Sequence, residues 1–575
     1  MKHLFLTKLF LLALLLPGVA AAQEGGAPLA DRVPRDALLY AGWAGLEEVS
    51  DLAEGSHAEA LLEASELRML FEQTLPKLAD VLGRRNPDSR PTMKFLTEVY
   101  PLLVRHPTAV AFGGVDWTSG DQPLPRILII CDAGEDAPIL RNKLADYFAM
   151  IRRIELIGLM DVQDGVVYLS LGWQKLDLAM AGDDAASALS SDDRFTSAMQ
   201  GLVERPASAL FIDTPGLMRF AEEAARRDRG EPGVQDLNKF LDATGLRGLG
   251  SIAAATGFHD RRHLMAAFVE TRGARTGLLG LLEPEPVDSG LLERIPADAG
   301  FVAAGRLDLS GLLEALRNAV LVTDPDNVGN LEQGLRFINL LVGADIEKDL
   351  LDAMGPTWAA YTAPVTGDTA LGLVAINQPE APDRAEAALR NVWLSTISLI
   401  NQGQRQKGED FRLTGRTVEA PEGDIEYFDL PLVAPAWGTD DALIYFGLYP
   451  HNVASARSVA SGAESFAESQ AFAAVRDLAG DRPIRGFTYI DLPRYGGRAH
   501  AQINAWLQLG SGVLSGFGET QNITARVPPM TLPPYHVVRE HLSPAINVTW
   551  VDERGLHLRA LEPFPFSGIL AIGMQ

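Results

Sequence analysis

The closest pair of histidines is His259 and His263, in His259-Asp-Arg-Arg-His263. A spacing of four suits two zinc ligands on one helix face, and a metalloprotease places a Glu directly after the first His. Here that Glu is missing, the pair straddles an expected hairpin turn, and no equivalent pair recurs later in the chain. His536 and His541 are five apart, off a common helix face, and read as ordinary core or surface histidines. Asp324-Pro-Asp326-Asn327-Val-Gly329-Asn330 gathers oxygen donors near a glycine. An EF-hand needs ligands at alternating positions and a Glu at position twelve. Pro325 breaks that spacing, and a loop between two helices accounts for the composition. The sequence assigns no metal.

Nucleophiles fare no better. The single cysteine, Cys131, sits in the apolar run Ile127-Leu-Ile-Ile-Cys131, which predicts a buried, inert thiol rather than a paired thiolate. Gly510-Ser-Gly-Val-Leu-Ser515-Gly516 is glycine-rich but is not the G-x-S-x-G elbow. There is no P-loop and no G-x-G-x-x-G after a strand. The 75 acidic residues offer too many pairs for a glycosidase dyad to stand out. Asp213 and Asp491 recur in Ile212-Asp-Thr-Pro215 and Ile490-Asp-Leu-Pro493. They read either as site residues or as turn formers that bond their own backbone ahead of a proline. No catalytic residue and no cofactor is assigned.

The first 22 residues predict where the protein works. Lys2, His3 and Lys8 precede the apolar run Leu9–Leu16, Pro17-Gly18 breaks it, and Ala20-Ala21-Ala22 supplies small residues for cleavage. This is the pattern of a secretory signal. The run is far short of the ~20 residues that span a bilayer, and no second run of spanning length follows. Residues 23–575 are therefore expected to be soluble, in the periplasm or the medium. Loss of Lys2 and Lys8 takes the net charge from −25 to −27. A negative surface disfavours nucleic acid and anionic membranes. One cysteine permits no internal disulfide, so stability rests on packing.

The remaining length exceeds one core, and it carries matching segments in the same order. Val33-Pro-Arg-Asp-Ala37 matches Ile295-Pro-Ala-Asp-Ala299, and His106-Pro-Thr108 matches Gly355-Pro-Thr357. Ala137-Pro138 matches Ala381-Pro382; Phe195 and Phe472 each precede an Arg-Pro by the same interval; the two Ile-Asp-x-Pro strands follow. Gly277–Leu282 matches Gly568–Gly573. These matches predict two tandem modules, 23–285 and 286–575, joined at Glu283-Pro-Glu-Pro-Val-Asp288.

Each module should open with a strand, Ala37–Ala41 or Gly300–Ala304, followed by a helix (Ala60–Leu82, or the stretch containing Leu312, Leu313, Leu316 and Val320). Strands Thr108–Phe112 with Ile127–Cys131, and Trp358–Thr362 with Leu371–Ile376, come next. Leu140, Leu144, Tyr147 and Ile151 share a helix face, as do Leu389, Val392, Trp393 and Ile397. Hairpins are expected at Asp164-Gly165, at Asp260-Arg261-Arg262 and at Asp552–Gly555. The predicted fold is α+β, with antiparallel or mixed sheets and helices packed on one face.

The segments Val33–Gly42, Ile295–Gly305, Asp349–Pro364 and Pro483–Pro493, behind a signal peptide, resemble a family of exported bacterial proteins known only as a domain of unknown function. The resemblance implies export and a two-copy α+β repeat, and no activity. The leading expectation is a non-catalytic binding or envelope-structural protein, with a groove between copies for a protein, peptide or glycan. The alternative is an extracytoplasmic hydrolase whose site is assembled from distant residues. A third is an assembly factor with an exposed apolar patch. The oligomeric state is left open.

Overall fold

Strands form where β-branched and aromatic residues run between turn formers. The computed structural model describes residues 26–64, 94–117, 124–150, 158–173, 185–323, 325–408, 410–459, 464–516, 534–565 and 567. The N-terminal half holds β1 (Leu39–Trp43), β2 (Thr108–Asp116), β3 (Leu124–Asp132), β4 (Gly158–Gln163), β5 (Val166–Leu171), β6 (Ser208–Asp213), β7 (Leu249–His259) and β8 (Arg262–Thr271). The C-terminal half adds β9 (Phe301–Arg306), β10 (Thr357–Thr362), β11 (Val374–Gln378), β12 (Thr414–Val418), β13 (Ile425–Asp429), β14 (Ala436–Thr439), β15 (Ile444–Gly447), β16 (Gly486–Ile490), β17 (Ala545–Val551) and β18 (Gly555–Glu562). Among the described residues all pairings are antiparallel and build one sheet of 18 strands. The pairings give the order β4-β5-β3-β2-β1-β6-β7-β8-β18-β17-β16-β9-β10-β11-β15-β14-β13-β12.

The halves follow the same connectivity. β1 lies between β2 and β6, as β9 lies between β10 and β16. Register agrees as well: Leu39 pairs with Ile212, and Phe301 with Ile490. Ala209 leads through Ala255 to Ala266, while Phe487 leads through Val548 to Arg559. Ala266 and Arg559, equivalent on this reckoning, are each other's partners across the β8–β18 seam. The hairpin β12–β13 is an addition at the C-terminal edge.

Both faces of the sheet are covered, which corrects the expectation of helices on one face. The reason is visible in β5, whose six residues are all buried; a strand apolar on both sides needs cover on both sides. On the back, α1 (Ala137–Met150) seals Ile127, Cys131 and Val167 through Leu140, Leu144 and Tyr147. On the front, Phe195 of α2 (Asp193–Met199) packs with Tyr40 and Phe211. The long α3 (Thr214–Thr244) breaks at Gly230 and packs its C-terminal part against α4 (Leu309–Thr323) of the other half. Then follow α5 (Pro325–Val342) and α6 (Pro382–Lys407). On the front of the C-terminal half, α7 (Pro450–Val459) and α8 (Gln470–Ala479) cover Tyr361, Tyr445 and Phe487. After β16 comes α9 (Leu492–Gly516).

The hairpin turns form at Asp164-Gly165 and Asp260-Arg261, each with both φ values positive, and between β17 and β18. The opening strands start one or two residues later than expected. Leu371 lies in a 3₁₀ turn before β11. The Asp326–Asn330 stretch is not a loop: Pro325 starts α5 and these residues form its first turns, because proline is tolerated at a helix N-terminus. Gly510–Gly516 is likewise helical. The expected signal, most of Ala60–Leu82, Ile151, Asp324 and Gly568–Gly573 lie outside the described residues. No helix among the described residues is long and apolar enough to cross a membrane.

Candidate functional site

The equivalent helices α2 and α8 stand on the front face on either side of the seam. Between them lies an open groove of about 1910 Å³. Its floor includes Leu264 of β8, Ile546 of β17, and Arg559 and Leu561 of β18. One wall is α2 with the turn after it, from Ser197 to Arg205; the other is Ala474, Asp477 and Leu478 of α8. Alternation along β8 and β18 puts these floor residues on the front face, in line with the apolar rows of both halves.

The seam differs from those rows in charge. Arg559 lies on the seam directly opposite Ala266. Its Nη2 donates to the Gly201 carbonyl at 3.2 Å, and its guanidinium lies 5.8 Å from the Trp550 ring centroid. Arg482 approaches the same ring at 4.8 Å. Burial and the neighbouring Arg482 both push the Arg559 pKa down. Arg262, Arg482, Arg554 and Arg559 make no ion pair with any carboxylate among the described residues, although the chain carries a net charge of −25. A cation held half-buried without a counterion is a place where an anionic group gains most.

An aromatic ladder supports this patch. Phe268, His557 and Trp550 are successive cross-strand partners, with ring centroids 4.6 Å and 5.0 Å apart. Burial pushes the His557 imidazole down, opposed by Asp552, whose Oδ2 lies 3.0 Å from Nε2. Arg554 caps the Phe268 end at 4.9 Å and donates to the Ser197 carbonyl at 2.6 Å. The bonds from Arg554 and Arg559 to the end of α2 tie the C-terminal half to the N-terminal one.

The residues singled out by sequence scatter. His259 and His263 sit on β7 and β8 at the hairpin, facing opposite sides: His259 on the groove and His263 on the back. No group of three or more His, Cys, Asp or Glu among the described residues could hold a metal. Cys131 is 1% exposed and its thiol is pushed up to about 12 by burial, so it stays protonated. Asp213 caps α3 by accepting from Gly216 N at 3.1 Å; Asp491 accepts from Arg494 N at 3.3 Å at the start of α9. Both aspartates thus act as helix caps with a following proline, the structural member of the pair of readings. His536 lies in the short helix Tyr535–Arg539, and His541 follows it with its ring 6.2 Å from that of His57. Sequence reasoning missed Arg559 and Trp550. Their only signal was a basic residue, Arg559, two places before Leu561 on a strand.

Neither a family model, nor a curated protein, nor a solved structure matches this chain.

Proposed function

We propose that the chain is an exported, non-catalytic binding protein, built from two copies of one α+β module, that holds an extended acidic peptide segment in the front groove. The duplication reading draws on the ordered sequence matches together with the shared strand connectivity and register. The export reading draws on the first 22 residues, and the family resemblance on the four segments quoted above.

The observation that carries the binding reading is Arg559: a half-buried cation without a carboxylate partner, at the centre of a long open groove. The aliphatic floor of Leu264, Ile546 and Leu561 favours a peptide, since glycan sites present flat aromatic platforms. The groove's ionisable groups are spread along its walls, and those with near partners are tied up, as Arg205 is with Glu48 at 3.0 Å. This spacing supports holding a chain over cleaving one.

The test is fluorescence anisotropy with labelled decapeptides alternating Leu and Glu. Saturable binding is expected, weakened about tenfold, or about 1.4 kcal/mol, by Arg559→Gln. Unchanged binding in Arg559→Gln, tighter binding of an acidic oligosaccharide, or cleavage of the peptides would overturn this reading.

A further inference from the structure

The back of the sheet carries a second hollow at the same seam, of about 690 Å³. Its floor is read directly from strand register. Met265, Ala560, Asn547, Thr488, Ala303 and Ala360 form one row, each the cross-strand partner of the next. The adjoining row is Thr549, Gly486, Gly305 and Trp358. Small side chains leave a trough running across the strands. From β8 to β10 there are five strand intervals of about 4.8 Å, so the trough is about 24 Å long. Its volume lies in the range of small-molecule sites.

Each end of the trough holds a buried polar atom with no hydrogen-bond partner among the described residues: His263 Nε2 and Trp358 Nε1. His263 is 6% exposed. Buried polar atoms are ordinarily bonded, so two orphans lining one hollow point to something that bonds them. The ends differ in charge. Glu562 is the cross-strand partner of His263, which disfavours an anion there. Near Trp358, Arg485 lines the trough; its guanidinium donates to the carbonyls of Leu281 and Glu283 and pairs with no carboxylate among the described residues.

We propose that this trough binds a single-chain amphiphile with a hydrogen-bonding group at each end, of the class of ω-hydroxylated long-chain fatty acids. The carboxylate lies at Trp358 Nε1 and Arg485, the hydrocarbon chain crosses the Ala, Gly and Thr floor, and the hydroxyl donates to His263 Nε2. No covalent step is involved. The site is on the opposite face from the peptide groove and does not depend on it.

The test is calorimetric titration of the delipidated full chain with ω-hydroxypalmitate and with palmitate. The hydroxylated acid is expected to bind about tenfold more tightly. Ala360→Phe, in mid-floor, should abolish binding of both; Ala303→Val, a gentler obstruction, should weaken both if Ala360→Phe fails to fold. His263→Phe should erase the preference while leaving palmitate bound, and Arg559→Gln should change nothing. Absence of saturable heat with either acid, equal affinity for the two, or unaltered binding in a folded trough variant would overturn the proposal.

Discussion

In the N-terminal half, the Tyr40 hydroxyl passes over Gly42 to donate to the Pro28 carbonyl. The equivalent residues of the C-terminal half are Val302 and Ala304, which bring no hydroxyl to that place. The exchange runs the other way one strand end along. There Leu38 lies against Gly216, whereas Gly300, equivalent to Leu38, leaves room for Tyr495, which bonds Thr362 at 2.7 Å and Asp368 at 2.8 Å. Volume has moved between neighbouring positions while the strands kept their register. Cores tolerate such swaps when total volume is held. The halves therefore differ in how each position is filled, and at the seam in what charge they present.

Three experiments break or sharpen this comparison. Asp213 is 1% exposed and is bound by Gly216 N and the Arg194 guanidinium, which also holds Asp192 at 2.9 Å. Asp491 only caps, because Arg494 turns to Asp368 at 2.6 Å. Asp213→Ala should cost about 3 kcal/mol, at the low end for a broken buried pair because Arg194 is partly exposed. Asp491→Ala should cost about 1 kcal/mol. Urea titrations giving equal losses would show that the two motifs play one role.

Gly42→Ala should cost about 2 kcal/mol by clash with Tyr40 and with the Pro28 carbonyl. Adding Tyr40→Val recreates the pair found in the other half and removes the larger clash, so the double variant should lose less than the sum of the two single losses. Strictly additive losses would break the equivalence.

The smallest effect concerns acid. Burial pushes His263 down to about 4, while its equivalent is Leu556. A base whose folded pKa is depressed contributes stability that is present above its ordinary value of about 6.5 and is lost as pH falls toward 4. Between pH 7 and pH 5 the loss should be about 1.5 kcal/mol. His263→Leu should flatten that slope; an unchanged slope would place the acid sensitivity elsewhere.

Much of this fold is written in short-range signals. Asp164-Gly165 and Asp260-Arg261 mark tight hairpins, and Leu140, Leu144 and Tyr147 mark a buried helix stripe. The ordered matches anticipate equivalent strands. Other features are not local. The apolar run Ile127–Cys131 reads as a buried strand, but nothing in it says which helices cover its two faces. Gly230 and Pro232 are turn formers by type, yet helix resumes beyond the kink at Gly230. The β8–β18 pairing joins residues almost 300 positions apart, such as Ala266 and Arg559. The groove and the trough both lie at that pairing; a groove between copies was an expectation from the repeats, but the residues that line it, and the trough behind it, were not legible in the sequence.

That same pairing sets an order on folding. β8 is the inner edge of the N-terminal half, and its partner, β18, is the last strand among the described residues. A chain that emerges N-terminus first must hold β8 open until β18, almost 300 positions later, has appeared. Such an edge recruits whatever strand arrives first, including β8 of a neighbouring chain. The closing of the seam is thus a race between the tail of one molecule and its neighbours, and protein concentration during folding decides the yield.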